Sequence, residues 1–295
     1  MSLVTIVIPN WNGKDMLENC LENIREYTDY NNYRIVVVDN GSSDGSVDMI
    51  KNEFNNILLI ENEENRGFGP ANNQAFDQYP NTEYFLLLNN DIRITEKGWL
   101  TKFVNITEDK SADIVGCRLE YPDGSLQHGG AFIRPGWLPV KQIKSDTEPV
   151  IRRYGQKVWE PDYVTGAAFL IRKEVIDSLQ GFDEVFVPAY FEETDLCMRA
   201  KNNGYRILYT PSPSLIHVES KTASDMPTYW FHNQLRFVIL NFPLHWIMIQ
   251  IVFQIRAIAS HLYNGRSLSS IYLPVISNIH FLIVHRIHRS LKGKD

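Results

Sequence analysis

The stretch YFLLLNND, residues 84–91, is a run of five apolar side chains that ends abruptly in two amides and one carboxylate. A short continuous apolar run is typical of a strand that is buried on both faces of a parallel sheet. In open α/β sheets, ligands bind outside the carboxyl ends of the strands. We therefore predict that this strand delivers Asp91 to the edge of a ligand site.

The sequence around this stretch alternates between strand-like and helix-like segments. Apolar, β-branched runs predict strands at LVTIVIP (3–9), YRIVVVD (33–39) and NILLIEN (56–62). Helices are predicted at 14–28 and 46–54, and residues 64–79 predict a glycine loop that opens a helix. Short connections between alternating strands and helices imply an α/β fold with a Rossmann-like, mostly parallel sheet and helices on both faces.

The second half of the chain is less regular. Residues 112–133 predict strands around a turn, and residues 161–186 predict a strand followed by a helix. Residues 190–211 predict a helix with three acids near its start and then a strand. Acids in the first turn of a helix can simply complement its macrodipole, so this motif has a structural as well as a functional interpretation.

Charge and composition change near residue 227. Residues 227–295 contain seven basic residues and one acid, a net charge of +6, so the remainder carries −12 of the total of −6. We predict a domain over 1–226 and an apolar, basic helical extension over 227–295. Two interpretations of the extension stay open. It can form amphipathic helices that bind an anionic membrane surface or a homodimer partner, or it can be a helical tail packed on the body.

The cysteines bear on the compartment. The three cysteines lie far apart without paired spacing, which favours a reducing cytoplasmic environment over a disulfide framework or zinc site. The first residues run directly into a strand, and we expect no signal peptide. We therefore expect a cytoplasmic protein, peripheral at the inner face of the plasma membrane if the extension binds lipid. We expect no nucleic-acid partner.

An ordered set of motifs resembles a known family. The motifs are VTIVIPNWNG (4–13), VVVDNGSSDGS (36–46), ENRGFGPANNQAF (64–76), LLLNND (86–91), DGSLQHGG (123–130), VTGAAFLIRKEV (164–175) and a stretch from GFDEVF to HVES (181–220). Together they resemble family 2 glycosyltransferases with the GT-A fold, especially the bacterial rhamnosyltransferase-like branch.

The resemblance implies a reaction. It implies inverting transfer of rhamnose or another hexose from a dTDP- or UDP-sugar, with Mg²⁺ or Mn²⁺ as cofactor. The acceptor would be a saccharide or lipid-linked saccharide in the synthesis of cell-surface or cell-wall polysaccharide.

The resemblance also assigns a nucleotide pocket. Asp39 would bind the base of the nucleotide, Pro9 and Asn10 would line the pocket, and Asp44 would border the base or ribose. A carboxylate can accept the ring N–H of a pyrimidine. An ordinary Asp-Asn-Gly turn would explain Asp39 equally, because both Asp and Asn begin turns readily.

Two glycine-bearing segments are expected near the donor sugar. Arg66 and Gly67 precede a helix, where the arginine or the backbone can approach the donor; the alternative is a helix start that needs permissive backbone. Thr165, Gly166 and Ala167 are small residues that let the backbone approach a ligand.

The resemblance assigns the metal site to the opening stretch. Many GT-A enzymes carry a DxD triplet here, and this chain departs from it with Asn89, although Asn90 and Asp91 follow. One carboxylate can suffice for Mg²⁺, which keeps several waters and uses phosphate oxygens. Asn89 would then bind ribose or a metal-bound water. His217 is a second candidate ligand, or else a structural histidine with satisfied hydrogen bonds.

The catalytic base is expected in FEETDL, residues 191–196. Glu193 stands where the family usually has its catalytic Asp, and Asp195 competes for the role. Because they are two residues apart on a helix, they point in different directions. We predict Glu193 as the base and Asp195 as an orienting group that pairs with Arg199. Glu192 and His128 would contact the acceptor.

Other interpretations remain open. Trp137 and Trp159 can stack on acceptor sugars or belong to the core. A nucleotidyltransferase would need a glycine-rich basic signature near the N-terminus, where only Lys14 is basic. Asn89 and Glu193 leave open a degenerate protein that binds nucleotide sugar without turnover. A membrane-anchored scaffold would explain the tail but not the acids at strand ends.

Overall fold

The structure is a computed structural model that describes residues 1–134, 140–142, 157–218, 226–243, 245–247 and 279–292. The strands within these ranges are β1 (Val4–Asn10), β2 (Tyr33–Asp39), β3 (Leu58–Glu61), β4 (Tyr84–Leu88), β5 (Ile92–Arg93), β6 (Ile114–Glu120), β7 (Leu126–His128), β8 (Ala131–Ile133), β9 (Val140–Gln142), β10 (Ala168–Arg172) and β11 (Ile207–His217). The helices are α1 (Lys14–Tyr27), α2 (Ser46–Glu53), α3 (Phe68–Gln78), α4 (Trp99–Asp109), α5 (Lys173–Leu179), α6 (Glu192–Asn202), α7 (Met226–Asn241) and α8 (Ile279–Lys292).

One large mixed sheet organises these elements. Its strand order is β3-β2-β1-β4-β10-β6-β11-β5, with β7 paired to β6. The strands β3, β2, β1, β4, β6 and β11 share one direction, and β10, β5 and β7 run against them. The predicted α/β fold with a mostly parallel sheet is confirmed. The exception is β10, which starts at the carboxyl edge of the sheet and therefore runs antiparallel between β4 and β6.

Helices cover both faces of the sheet, as predicted. Leu86 and Leu88 of β4 pack in a cluster with residues of α1, α2 and α4. Phe85 and Leu87 pack in a second cluster with residues of α3, α5 and α6. Because both faces are buried, every position of this strand can be apolar, which is the physical reason for the uninterrupted run.

The register aligns the strand ends that carry the polar motifs. Asn10 at the end of β1 lies opposite Asp39 at the end of β2. Leu88, the last residue of β4, lies opposite Ala168, the first residue of β10. His217, the last residue of β11, pairs with Ile92 of β5, directly after Asp91. The polar residues of distant motifs therefore meet along one edge.

The described part of the C-terminal extension packs on the body. Helices α7 and α8 share a third apolar cluster with the segment before α6, made of Phe186, Phe191, Phe237, Val238, Leu240, Phe242 and Leu282. Among the described residues, none of the helices has the length and apolar content needed to cross a membrane. Residues 248–278 lie outside the described residues, and the predicted division at residue 227 stays a prediction.

The tight contact between β6 and the segment before β10 generates a stability prediction. A Cβ added at Gly116 would lie 2.4 Å from Cβ of Val164. We expect Gly116→Ala to lower the free energy of unfolding by about 1–3 kcal/mol, as overpacking of a core does. Urea denaturation would measure it as a lower midpoint at an unchanged slope. In a chain that also carries Val164→Gly, Gly116→Ala should lower the free energy of unfolding by less. If the effects of the two substitutions simply add, the clash between the two positions is contradicted.

Candidate active site

A chain of hydrogen bonds runs across three strand ends at the edge of the sheet. The Asn90 side-chain amide donates to Asn10 Oδ1 at 2.8 Å, and Asn10 Nδ2 donates to Asp39 Oδ2 at 2.9 Å. The Ser42 N–H donates to the other carboxylate oxygen of Asp39 at 2.8 Å. Asn10 and Asp39 are both buried. The carboxylate of Asp39 thus has a fixed orientation, and its turn contact with Ser42 coexists with its place at the edge.

Asp44 is engaged by two helix starts. Its carboxylate accepts the Lys14 N–H at 2.8 Å and the Ser46 N–H at 3.0 Å, at the first residues of α1 and α2. Partial burial works to raise the pKa of Asp44, but hydrogen bonds from Ser46 and Lys14 outweigh it and lower the pKa. Asp44 therefore stabilises the loop beside Asp39, and its predicted contact with the base or ribose stays a prediction.

Trp11 is a candidate that the sequence analysis missed. Its side chain is 46% exposed, although its neighbour Asn10 is buried. The next residue is fixed, because the Asn12 N–H donates to Ser42 Oγ at 2.8 Å. A large exposed aromatic beside a polar pocket offers a flat surface on which a nucleobase can stack. The only sequence signal is an aromatic residue between two asparagines.

The loop before α3 contacts the segment that precedes α6. Gly67 has φ of +90°, and a Cβ added there would lie 2.7 Å from the Pro188 carbonyl oxygen. The Asn40 side-chain amide donates to the Gly67 carbonyl at 3.3 Å, which ties the loop to the end of β2. Glycine is therefore required by both backbone conformation and close approach. Arg66 is exposed beside it.

Asp91 and His217 come together although 126 positions separate them in the sequence. His217 Nε2 lies 3.1 Å from Asp91 Oδ1 and 3.3 Å from Asn89 Nδ2. Its other ring nitrogen, Nδ1, lies 2.6 Å from Oε1 of Gln127. Because an amide oxygen only accepts, this contact places a proton on Nδ1, and Nε2 faces the Asp91 carboxylate and the Asn89 amide.

These residues fit a divalent cation with two protein ligands. A carboxylate oxygen suits Mg²⁺ or Mn²⁺, an imidazole nitrogen suits Mn²⁺ less well, and phosphate oxygens and waters would complete the shell. The contact of Gln127 with the other ring nitrogen is of the kind that orients histidines in metal sites. Gln127 also donates from Nε2 to the His217 carbonyl at 3.3 Å, so one amide holds both ring and backbone. Within the described residues there is no cluster of three or more His, Cys, Asp or Glu side chains suited to a metal.

The Thr165–Gly166 backbone lies against the base candidate. The Gly166 N–H donates a hydrogen bond to the carboxyl group of Glu193, and a Cβ added at Gly166 would lie 3.5 Å from Glu193 Cβ. The Thr165 N–H donates to His128 Nε2 at 3.3 Å, and His128 is buried. His128 therefore supports the strand entry that faces Glu193. Its predicted contact with the acceptor stays a prediction.

Three carboxyl groups at the start of α6 have different environments. Burial raises the pKa of Glu192 well above its usual range, and the charge of Glu193 adds to this. Burial also raises the pKa of Glu193. Glu192 is 6% exposed, and its Oε2 atom has no hydrogen-bond partner within the described part of the chain. Burial thus makes both carboxyl groups hold a proton more strongly than an exposed glutamate does.

Asp195 lies on the other side of the helix, and it is fully buried. Arg199 Nε lies 2.7 Å from Oδ2, which confirms the predicted pair, and Arg289 Nη2 and Asn241 Nδ2 each lie 2.8 Å from Oδ1. Burial works to raise the pKa of Asp195, but the charges of Arg199 and Arg289 outweigh it and lower the pKa. Both oxygens of Asp195 are thus occupied, which favours Glu193 over Asp195 as the candidate base.

The two tryptophans singled out from the sequence divide. Trp159 is 8% exposed and its ring packs against Phe132 and Tyr209, at centroid distances of 5.3 and 6.3 Å, so the core interpretation holds for it. Trp137 lies outside the described residues.

Comparison with known proteins adds a family. The family model described as Glycosyl transferase family 2 matches residues 5–179, more than half of the 295 residues. That span contains the edge formed by Asn10, Asp39 and Asp91. Glu193 and His217 lie beyond it.

Curated relatives share low identity with this chain. An O-antigen biosynthesis protein of Myxococcus xanthus is 27% identical, over 77% of this chain and 18% of that protein. An N-acetylglucosaminyl-diphospho-decaprenol L-rhamnosyltransferase of Mycobacterium tuberculosis is 23% identical, over 72% of this chain and 79% of that protein. The chain spans a quarter or less of the length of the first two curated relatives that it matches.

A solved structure supports the fold. A mannosyltransferase from Pyrobaculum calidifontis, in complex with GDP-Man and Mn²⁺, superposes with a TM-score of 0.60 over 99% of this chain and 87% of that one. At 19% identity, the likeness concerns the fold alone, which is GT-A.

The environment of Asp195 generates a pH-dependent stability prediction. Asp195→Asn leaves Arg199 and Arg289 without their shared anion, and we expect it to lower the free energy of unfolding by about 3–5 kcal/mol at pH 7. Because the folded pKa lies below the ordinary value of 3.8, the contribution is complete above that value. It is lost as the pH falls through the folded pKa, so the difference from the parent should shrink there.

Urea denaturation between pH 7 and pH 3 would measure this difference. Glu61→Gln is the matched control, since Glu61 and Lys51 form a pair 2.9 Å apart with side chains 48% and 54% exposed. An exposed pair should contribute no more than about 1 kcal/mol. Equal effects of the two substitutions, or a constant Asp195→Asn effect at every pH, would contradict the prediction.

Proposed function

We propose that this chain, which belongs to glycosyl transferase family 2, transfers a sugar from a nucleoside diphosphate to a hydroxyl group of a saccharide or lipid-linked saccharide. The observation that carries the proposal is that Asp39 and Asp91 lie at one edge of the sheet, and that Glu193 accepts the N–H of Gly166, next to the residue that bonds Asn89. A base-binding acid, a metal-binding acid and a proton acceptor are the minimum set for a transfer of this kind.

The donor site is proposed around the fixed carboxylate of Asp39. A free lone pair on this carboxylate accepts the ring N–H of uracil or thymine, which favours UDP- or dTDP-sugars. Trp11 is exposed at the same edge and stacks on the base. The backbone of Pro9 and the side chain of Asn10 line the pocket. Arg66 and the Gly67 backbone face the sugar or the diphosphate.

Asp91 and His217 are the residues that would hold Mg²⁺ or Mn²⁺. A bound divalent cation supplies positive charge that stabilises the leaving diphosphate. Gln127 keeps the imidazole in the tautomer that a metal requires. Asn89, whose amide lies 3.3 Å from the imidazole, would bind ribose or a water molecule of the metal.

Glu193 is proposed as the general base. It takes the proton of the acceptor hydroxyl while that oxygen attacks the anomeric carbon, and the bond from that carbon to the diphosphate breaks on the opposite face. The configuration at carbon therefore inverts. Burial raises the pKa of Glu193, which makes its carboxylate a stronger proton acceptor than that of an exposed glutamate. Glu192, whose pKa burial raises well above the usual range, and His128 face the acceptor hydroxyls.

The biological setting follows from the relatives. Their names include O-antigen synthesis and transfer of rhamnose to a diphospholipid. We propose that this chain transfers rhamnose or another hexose in the synthesis of cell-surface polysaccharide, on the cytoplasmic side of the plasma membrane. Contact of the extension with the membrane surface or with a second copy of the chain belongs to the same proposal.

A second candidate is a degenerate protein that binds nucleotide sugar without turnover. The contact between Asn89 and His217 Nε2 favours it, since the amide N–H occupies the lone pair that a metal would use. Slow hydrolysis of a nucleotide sugar without acceptor, abolished in Glu193→Gln, would exclude this candidate.

The assignment of the base generates a kinetic prediction. Glu193→Gln should lower kcat by about 10²–10⁴-fold while leaving donor binding intact, because it removes only proton transfer. The kcat of Glu193→Asp should lie between those of the parent and of Glu193→Gln, since this variant keeps the carboxylate but on a shorter side chain. In the parent, kcat/KM should fall on the acidic side at a pH above 4.5, the ordinary pKa of a glutamate, because the carboxylate must be deprotonated to act. Release of nucleoside diphosphate measures both effects. Full activity of Glu193→Gln would sink the assignment.

The metal assignment generates a binding prediction. UDP or dTDP with Mn²⁺ should raise the melting temperature. At a ligand concentration a hundred times Kd, binding adds about 2.7 kcal/mol to the free energy of unfolding. Asp91→Asn should abolish the metal-dependent part, and Gln127→Leu should weaken Mn²⁺ affinity about 10–100-fold, as loss of an orienting partner does. Thermal shift and titration calorimetry measure these effects. Asp109→Asn, an exposed carboxylate at the end of α4, is the control. Equal stabilisation of all variants would refute the metal site.

A further inference from the structure

Residues 183–195, here called the base-bearing segment, connect the loop before α3 (residues 62–67, here called the donor loop) to the carboxyl groups of α6. Pro188 in its middle lies against Gly67 of the donor loop. Tyr190 and Phe191, directly before α6, have φ of +78° and +72°. Residues other than glycine rarely adopt this backbone conformation, which persists only where surrounding contacts stabilise it. The position of Glu193 therefore depends on what holds the segment.

Asn233 of α7 makes the first set of contacts that fix the base-bearing segment. Its side-chain amide lies 2.5 Å from the carbonyl oxygen of Phe186, 2.8 Å from that of Ala189 and 3.1 Å from that of Tyr190. Its own oxygen accepts from Arg236 at 2.8 Å. Asn233 has no exposure to solvent. One buried amide thus gathers the backbone of the strained turn immediately before the helix that carries the base.

Arg289 of α8 makes the second set of contacts that fix the base-bearing segment. It lies 3.3 Å from Asp183 and 2.8 Å from Asp195, the two ends of the base-bearing segment. His285 adds a contact of 2.7 Å to Asp183, and Asn241 adds one of 2.8 Å to Asp195. A single guanidinium therefore bridges both ends of the segment from outside. Buried, charge-assisted contacts of this kind are among the stronger ones in proteins.

The third apolar cluster adds side-chain packing between the base-bearing segment and helices α7 and α8. Phe191 packs on Trp230 and Phe237 of α7, with ring centroids 5.6 and 5.4 Å away. Leu282 of α8 lies in the same cluster and is buried. The strained residue that caps α6 is thus fixed through its side chain as well as its backbone.

We propose that the C-terminal helices α7 and α8 form a positioning element of the catalytic site, in which Asn233 holds the base-bearing segment so that Glu193 faces the acceptor hydroxyl. This inference rests on the proposed function of Glu193. The nucleotide pocket has its own support in the chain of hydrogen bonds through Asn10 and Asp39. Loss of Asn233 therefore impairs the chemical step more than donor binding.

The test compares Asn233→Ala with Thr107→Ala in the full chain. Thr107 is a matched control, since it is also fully buried and also donates to a backbone carbonyl, that of Phe103 at 2.9 Å, but it lies in α4. For each protein we would measure kcat, the donor KM, affinity for the nucleoside diphosphate, and amide hydrogen exchange of residues 183–196 and 36–45.

Asn233→Ala should lower kcat at least tenfold, with the donor KM and nucleotide affinity within about threefold, because small misplacements of a reacting group are costly. Hydrogen exchange should rise in residues 183–196 and stay unchanged in 36–45. The acidic limb of the pH profile should move to lower pH, because a loosened Glu193 loses the burial that raises its pKa. Thr107→Ala should change none of these below its melting temperature.

Equal behaviour of the two variants, or a loss of nucleotide affinity as large as the loss of kcat, would overturn the proposal. If Asn233→Ala does not fold, Arg289→Lys serves in its place, because it keeps the charge and loses the bridge between Asp183 and Asp195. The exchange measurement needs no turnover. A parent chain without transferase activity whose variant still loosens residues 183–196 would refute the proposed function and leave the positioning role standing.

Discussion

Parallel strands that run in one direction must all end at one edge of their sheet, and the site of this protein is built on that constraint. Asn10 and Asp39 end two neighbouring strands, Asp91 follows the next one, and His217 ends a fourth strand that shares their direction. The antiparallel strand β10 obeys the same geometry in reverse, since it begins where its neighbours end. It thereby brings the Thr165–Gly166 backbone to the same place.

The carboxyl groups of α6 show how a fold separates the chemistry of similar side chains. Glu193 and Asp195 are two residues apart, and burial acts on both. Two guanidinium groups compensate the charge of Asp195, whereas the hydrogen bonds to Glu193 within the described residues come from backbone N–H groups, and the two pKa values move in opposite directions. The charged form of Asp195 is stabilised by its partners, and the protonated form of Glu193 is favoured by burial.

The base-bearing segment gives the C-terminal extension a part in the architecture of the site. It packs on the donor loop through Gly67 and Pro188, and on α7 and α8 through Asn233 and Arg289. Donor loop, base and extension are therefore in physical contact through one stretch of strained backbone. A membrane surface or a second copy of the chain that binds the extension would act on the same stretch.

The sequence by itself determined the first four strands, their order of appearance and the residues that end them, because apolar runs and the residues that close them are local signals. It also determined the Asp195–Arg199 pair, which helical spacing sets. Only the tertiary structure decided that His217 meets Asp91, that Gln127 orients it, and that Arg289 neutralises Asp195. These contacts join positions from 90 to 126 residues apart, and no local pattern encodes which distant charge will face a buried group.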